Sequence, residues 1–255
     1  MKITERQTEI LNRLIQEYID SARPVSSQLL EKKYDFSICP AMIRIEMQKL
    51  TDQGFIQQPH TSAGRVPTDK GYRFFVDNLL AHLNFPQEKF GGLKKEISEL
   101  EDIFQKAEKD IFKLASRLTK FLAEQSSNFT ILNLLERDFF WKEGWEEILK
   151  EPEFEEKDLI SNFTELLESF EENIENLKIN PVRNRRFLNG VNSGIKIYIG
   201  KENPFSKNKD FSIISSRCHL PEGEEGIISL LGPKRMAYDK NISLINSLTK
   251  LLEKI

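Results

Sequence analysis

The chain has 255 residues, a formal net charge of −3, 30% charged residues and 39% hydrophobic residues. That length allows one large or two modest domains, and the composition supplies enough apolar surface for a core. No apolar run approaches the ~20 residues a membrane-crossing helix needs. The N-terminus enters an amphipathic pattern at once rather than a leader peptide, so a cytoplasmic protein with no membrane association is expected.

The first helix is signalled at Thr4, with Gln7 three residues on completing a capping-box pattern. Ile10, Leu11, Leu14, Ile15, Tyr18 and Ile19 then form a helical stripe, which Ser21-Ala22-Arg23-Pro24 ends because the residue before proline is pushed out of the α region. A second helix starts at Ser26 or Ser27, with Leu29 and Leu30 inward. A third opens at Cys39-Pro40, proline being well tolerated at the first helical position. It runs to Gly54, a C-terminal stop, and Phe55-Ile56-Gln57 reads as a short strand.

On the third helix, at about 100° per residue, Ile43, Met47 and Leu50 share a buried face. The opposite face carries Ala41, Ile45 and Gln48, flanked by Arg44 and Lys49. A helix of this kind fits the DNA major groove, where Arg pairs with guanine and Gln with adenine. Ser27, at the second helix, joins the expected contacts. The turn-rich segment Gln58 to Arg73 follows (QPHTSAGRVPTDKGYR). It reads as the wing of a winged helix, with His60, Thr61, Ser62, Arg65, Lys70 and Arg73 expected at the DNA backbone. Without that segment, a three-helix protein-interaction module fits equally well.

The segment from Gln58 to Arg73 resembles that of the heat-inducible transcription repressor HrcA family. So do Pro40-Ala41 with Ile43-Arg44, the Gly54–Gln57 stretch before the wing, and Phe140 through Phe154. Ile199–Pro204 (IGKENP) and Gly232–Tyr238 (GPKRMAY) match as well. The resemblance implies an α+β protein. Its parts are an N-terminal winged helix-turn-helix domain, a long linking and dimerisation helix, and a C-terminal GAF-like domain of helices on an antiparallel sheet. It also implies a dimeric repressor of chaperone operons that binds an inverted-repeat operator on double-stranded DNA and is kept active by the chaperonin GroEL. A ligand-sensing role for the GAF-like domain is the alternative. Two departures stand out. Met42 and Ile45 occupy positions where the family usually has threonine and asparagine. The stretch between Phe121 and Phe139 is also far shorter than usual, so a reduced sheet is expected.

Residues 1–77 are expected to form the DNA-binding domain, 78–92 a linker centred on Asn84–Gly92, and 93–255 the dimerisation and regulatory domain. The first of these carries 11 basic and 10 acidic residues, whereas 13 acidic residues crowd Glu143–Glu175 against Lys150 and Lys157. DNA contact is therefore confined to the N-terminal part, and its near-neutral charge favours binding as a homodimer. Leu93, Ile97, Leu100, Phe104, Ala107, Ile111, Leu114, Leu118 and Phe121 alternate spacings of four and three, about four heptads of one continuous helix. Leu93, Ile97, Leu100, Phe104, Ile111, Leu114 and Leu118 are expected at the dimer seam, and burial against the chain's own domain is the competing reading.

Strands are expected at Phe139–Trp141, Ile195–Ile199, Phe211–Ser216 and Gly226–Leu231. Helices are expected along Leu159–Leu177, with Leu159, Phe163, Leu166, Phe170, Ile174 and Leu177 inward, and from about Asp239 to Ile255. A solvated loop from Asn180 to Ser193 carries Arg183, Arg185 and Arg186. Two distant cysteines, Cys39 (a helix cap) and Cys218, and three scattered histidines make no metal spacing. No Gly-rich phosphate loop is present. No metal, cofactor or enzymatic activity is therefore expected.

Overall fold

The computed structural model describes residues 3–82, 94–106, 110–137, 139–179, 194–205 and 209–253. The linker from Asn84 to Gly92, Leu93, and the loop with Arg183, Arg185 and Arg186 lie outside those residues. The chain divides into two compact units, Met1–Pro86 and Gln87–Ile255.

The first unit holds α1 (Glu5–Ser21), α2 (Ser27–Lys33), α3 (Pro40–Asp52), the hairpin of β1 (Ile56–Gln57) and β2 (Val66–Pro67), and α4 (Asp69–His82). Residue 77 therefore falls inside a helix that continues to His82. Thr4 and Gln7 form the capping box, with bonds of 3.2 and 3.0 Å between side chain and backbone. Ser26 Oγ caps α2 by accepting from the Leu29 N–H at 3.1 Å. Cys39 holds the N-cap position of α3 without a side-chain bond to the helix, so its capping is positional only.

Ile10, Leu11, Leu14, Ile15, Leu30, Ile43, Leu50 and Val76 are fully buried together as the core of this unit. Each such side chain contributes about 1.5–3 kcal/mol. Two glycines allow close backbone packing. A Cβ at Gly71 would lie 2.2 Å from the Phe55 carbonyl oxygen, and one at Gly64 would lie 2.5 Å from the Val25 carbonyl. Gly64 thus permits the Val25–Arg65 bridge, which joins the hairpin to the residues just before α2.

The second unit is three-layered. Its antiparallel sheet has the order β4-β3-β7-β6-β5, built from β3 (Phe129–Leu134), β4 (Phe139–Glu143), β5 (Lys196–Ile199), β6 (Phe211–His219) and β7 (Glu225–Pro233). Strand β3 pairs with both β4 and β7. One face is covered by α8 (Lys157–Ile179), where Phe129, Phe154, Phe163, Phe170, Phe205 and Phe211 form one cluster with aliphatic neighbours. Of the six residues expected inward on α8, Leu159 packs at the edge of that cluster, Phe163 to Ile174 are buried, and the Leu177 side chain is outside the described residues. The short α7 (Trp145–Ile148) and a 3₁₀ turn at Pro152–Glu155 cross the same end. The other face is covered by α6 (Ile111–Ser126) and α9 (Tyr238–Leu252), and α5 (Lys94–Lys106) packs on these two helices. Alternate residues of the central strands are therefore buried on both sides.

Two expectations change here. The sheet has five strands, not the four signalled, and the added strand, β3, is central and entirely buried. The short stretch after Phe121 is therefore not a bare joint. It holds the last turn of α6 and a core strand. The heptad helix is also two helices. Asp110 starts α6 anew, its carboxylate accepting from the Phe112 and Lys113 N–H groups at 3.0 and 3.1 Å. Along the expected dimer seam, Ile97 and Phe104 are half-buried. Leu100, Ile111, Leu114 and Leu118 are buried within the single chain, where α5 and α6 pack on each other and on α9. These side chains are core of their own unit, which is the competing reading of the stripe.

Candidate nucleic-acid interface

The outward face of α3 carries Ala41, Met42, Arg44, Ile45, Gln48 and Lys49, all exposed, while Ile43, Glu46, Met47 and Leu50 are buried. Glu46 is the residue the periodicity missed, because a carboxylate breaks the apolar stripe. Its partners compensate for its burial. It accepts from Lys49 Nζ and from Gln7 Nε2, each at 2.8 Å, tying α3 to α1. The bond to Lys49, against the opposing effect of burial, holds its carboxyl below the ordinary range.

A second buried carboxylate anchors α2. Glu17 accepts from Lys33 Nζ at 2.7 Å and from the Tyr34 hydroxyl at 2.6 Å. Burial alone would raise its pKa, but the bonds from Lys33 and Tyr34 outweigh that and lower it. Burial and the same carboxylate push Tyr34 up to about 12. The two networks tie α2 and α3 to α1.

Beside α3, the loop between β1 and β2 exposes His60, Thr61 and Ser62. Gln58 Nε2 donates to the Thr61 and Ala63 carbonyls at 2.9 and 3.0 Å, so the loop is braced from within. Arg65 is half-buried and reaches α3, not open solvent. Its guanidinium donates to Thr51 Oγ1 and Gln48 Oε1, both at 3.2 Å. Lys70 Nζ donates to the Gln53 carbonyl at 2.7 Å and lies 4.4 Å over the Phe55 ring. Arg73 pairs with Asp77 at 3.4 Å. Of the expected contact cations, Arg44 alone makes no hydrogen bond or ion pair with another described residue. Ser27 is buried at 7% exposure and does not join this surface.

The structure thus gathers Ala41, Arg44, Ile45, Gln48 and Lys49 on one helix face, with the hairpin tied to that helix through Arg65. Intramolecular use of Arg65 and Lys70 is invisible to sequence pattern, since their partners lie fourteen to seventeen residues away, whereas Arg73 and Asp77 are an i,i+4 pair on α4. Among the described residues no group of three or more His, Cys, Asp or Glu side chains can hold a metal, and no helix is long and apolar enough to cross a membrane.

The architecture is α+β, with helices and a two-stranded hairpin in one unit and a five-stranded antiparallel sheet with helices in the other. A family model described as "HrcA protein C terminal domain" matches residues 77–242. The chain belongs to the HrcA family. It is 30% identical over 351 residues to the heat-inducible transcription repressor HrcA of Natranaerobius thermophilus, covering 100% of this chain and 98% of that protein. It is 27% identical over 349 residues to the protein of the same name from Thermoanaerobacter pseudethanolicus, covering 100% and 97%. Those aligned lengths exceed the 255 residues here although the matches span the whole chain, so the relatives carry internal segments that it lacks. A solved structure described as a hypothetical protein at 2.2 Å resolution has a TM-score of 0.68 at 21% identity, covering 99% of this chain and 98% of its own, and so shares its fold.

Proposed function

We propose that the chain is a transcriptional repressor whose N-terminal unit is a winged-helix DNA-binding domain. The observation that carries this reading is the exposed face of α3 with its unpaired Arg44, held rigid by buried carboxylate networks and flanked by the braced hairpin loop. A helix so presented fits the major groove, with Arg44 toward base edges and Lys49, His60, Thr61 and Ser62 toward phosphates. Two such units in a homodimer match an inverted-repeat operator, because two-fold protein symmetry mirrors a palindrome. The names of the relatives support control of heat-shock genes. Chaperone operons as targets, and the chaperonin GroEL as the partner that sustains activity in the cytoplasm, complete the reading.

The test is selection of genomic fragments by the purified full chain, followed by titration at several salt concentrations. Specific binding to an inverted repeat upstream of chaperone genes is expected. Arg44→Ala is expected to cost about 1–3 kcal/mol and to relax preference at one base position. Equal affinity for random duplexes at matched salt refutes the repressor reading. Operator binding by a monomer, measured by sedimentation, refutes the dimer. Repression in a purified transcription system that ignores added chaperonin refutes the partner.

A further inference from the structure

Given the DNA-binding reading above, the geometry points to a specific recognition chemistry: α3 reads thymine methyl groups, with Arg44 as its one base-directed hydrogen-bonding side chain, and Arg65 is the positioning residue that enforces this. Gln48 is the other side chain on that face with the chemistry to read a base, since its amide can bond adenine at two atoms. Both ends of that amide are already engaged. Its Nε2 donates to Asp52 Oδ1 at 2.8 Å, and its Oε1 accepts from Arg65 Nη2 at 3.2 Å. Arg65 is itself fixed by Thr51 Oγ1 and by the backbone bridge to Val25. The chain Arg65–Gln48–Asp52 thus locks the amide along the helix surface. Lys49 is paired with Glu46.

What remains toward the groove is Arg44 with a strip of apolar groups, Ala41, Met42 at 38% exposure and Ile45 at 48%. Methionine and isoleucine exposed to this degree on the helix of a soluble unit place uncompensated apolar surface where a base edge would sit. The apolar feature of the major groove is the thymine C5 methyl, and Arg is matched by the guanine O6 and N7 acceptors. The preferred half-site therefore holds thymines beside a guanine, and it is set by burial of methyls more than by hydrogen bonds.

The test uses the full chain and the tightest duplex selected from a random library. Each thymine is replaced in turn by deoxyuridine, which removes the methyl and nothing else. Each guanine is replaced by 7-deazaguanine, which removes N7. One or more uracil substitutions per half-site are expected to weaken binding about fourfold, the factor that ~0.8 kcal/mol per buried methyl gives. That loss is expected to vanish in Ile45→Ala or Met42→Ala. One deazaguanine loss is expected to vanish in Arg44→Ala. Gln48→Ala is expected to leave base preference unchanged in the otherwise native chain, whereas in the double variant Arg65→Ala, Asp52→Ala, which removes both partners of the amide, a new adenine preference is expected. Selective binding that is indifferent to every uracil substitution, or a base preference that Gln48→Ala abolishes, overturns this chemistry while leaving the DNA-binding reading intact. Failure of the library to yield any selected duplex overturns both.

Discussion

The two units are fixed by different interactions. In the N-terminal unit the deeply buried carboxylates, Glu17 and Glu46, each meet a lysine and a second donor, and each network joins two helices. Both units keep buried polar atoms with no hydrogen-bond partner among the described residues, Asn12 Oδ1, Gln53 Oε1 and Asn78 Nδ2 in the N-terminal unit, and Asn128 Oδ1, Thr130 Oγ1, Asn133 Oδ1 and both amide atoms of Asn241 in the C-terminal unit. In the C-terminal unit the compensating energy is apolar, from a phenylalanine cluster against a sheet covered on both faces. Charge networks fix the orientation of a small helical surface. Aromatic mass holds together the larger body.

The largest expected effect tests the aromatic side of that contrast. Phe163 is fully buried and its ring meets those of Phe129, Trp145, Phe154 and Phe211 at centroid distances of 5.2–5.9 Å. Phe163→Ala is expected to destabilise the C-terminal unit by about 3–5 kcal/mol. Both tryptophans, Trp141 and Trp145, lie in that unit, so denaturation followed by their fluorescence reports it alone. Helical signal from the N-terminal unit is expected to persist after the fluorescence transition. A single shared transition in every variant would show that the units fold as one.

The matching change in the other unit is Gly71→Ala. The added methyl meets the Phe55 carbonyl oxygen, and the expected loss is ~1–3 kcal/mol with local displacement of α4 from the hairpin. DNA binding is expected to fall while the tryptophan midpoint stays fixed. A smaller cost is expected from Arg235→Met in the C-terminal unit. Arg235 Nε and Nη2 bond Glu153 at 2.7 and 2.9 Å, Nη2 also reaches Glu151, and the guanidinium side chain is only 10% exposed. The carboxylates keep partial access to water, which limits the loss to about 1–2 kcal/mol. Adding Glu153→Gln is expected to recover part of it, as urea midpoints will show.

Legibility in the sequence followed the range of the signal. Capping at Thr4, the start of α2 at Ser26 or Ser27, the proline stop after α1 and the inward stripe of α3 are local, and each is where the pattern placed it. β3 was missed because Phe129–Leu134 is a short, mostly apolar run without clear alternation, which periodicity cannot separate from a buried helix. The Ser126-Ser127-Asn128 turn before it was the available cue. The restart at Asp110 was hidden because the four-and-three spacing carries straight across it, while the cap is a single residue. On the interface, the residues of the α3 face were legible. The engagement of Arg65 and Lys70, the burial of Ser27 and the inward Glu46 depend on tertiary neighbours that spacing does not encode, whereas the Arg73–Asp77 pair is local to one helix.

The gentlest expected effect concerns pH and bears on the charge networks. Glu17 and Glu46 titrate below the ordinary carboxylate value of 4.5 in the folded chain. A carboxyl group with a lowered folded pKa stabilises the fold fully above its unfolded value. That contribution is lost as pH falls through the folded one. The N-terminal unit is therefore expected to hold constant stability from neutrality down to about pH 5 and to weaken below it, at no more than ~1.4 kcal/mol per pH unit for each proton taken up. Hydrogen exchange resolved to α1 and α3 measures this in the full chain. Glu46→Gln is expected to flatten the acid limb for α3, because the amide still accepts from Gln7 but no longer titrates. An acid limb for α3 that is unchanged by Glu46→Gln would mean that the apolar face of α3, not the buried carboxylate, fixes it on α1.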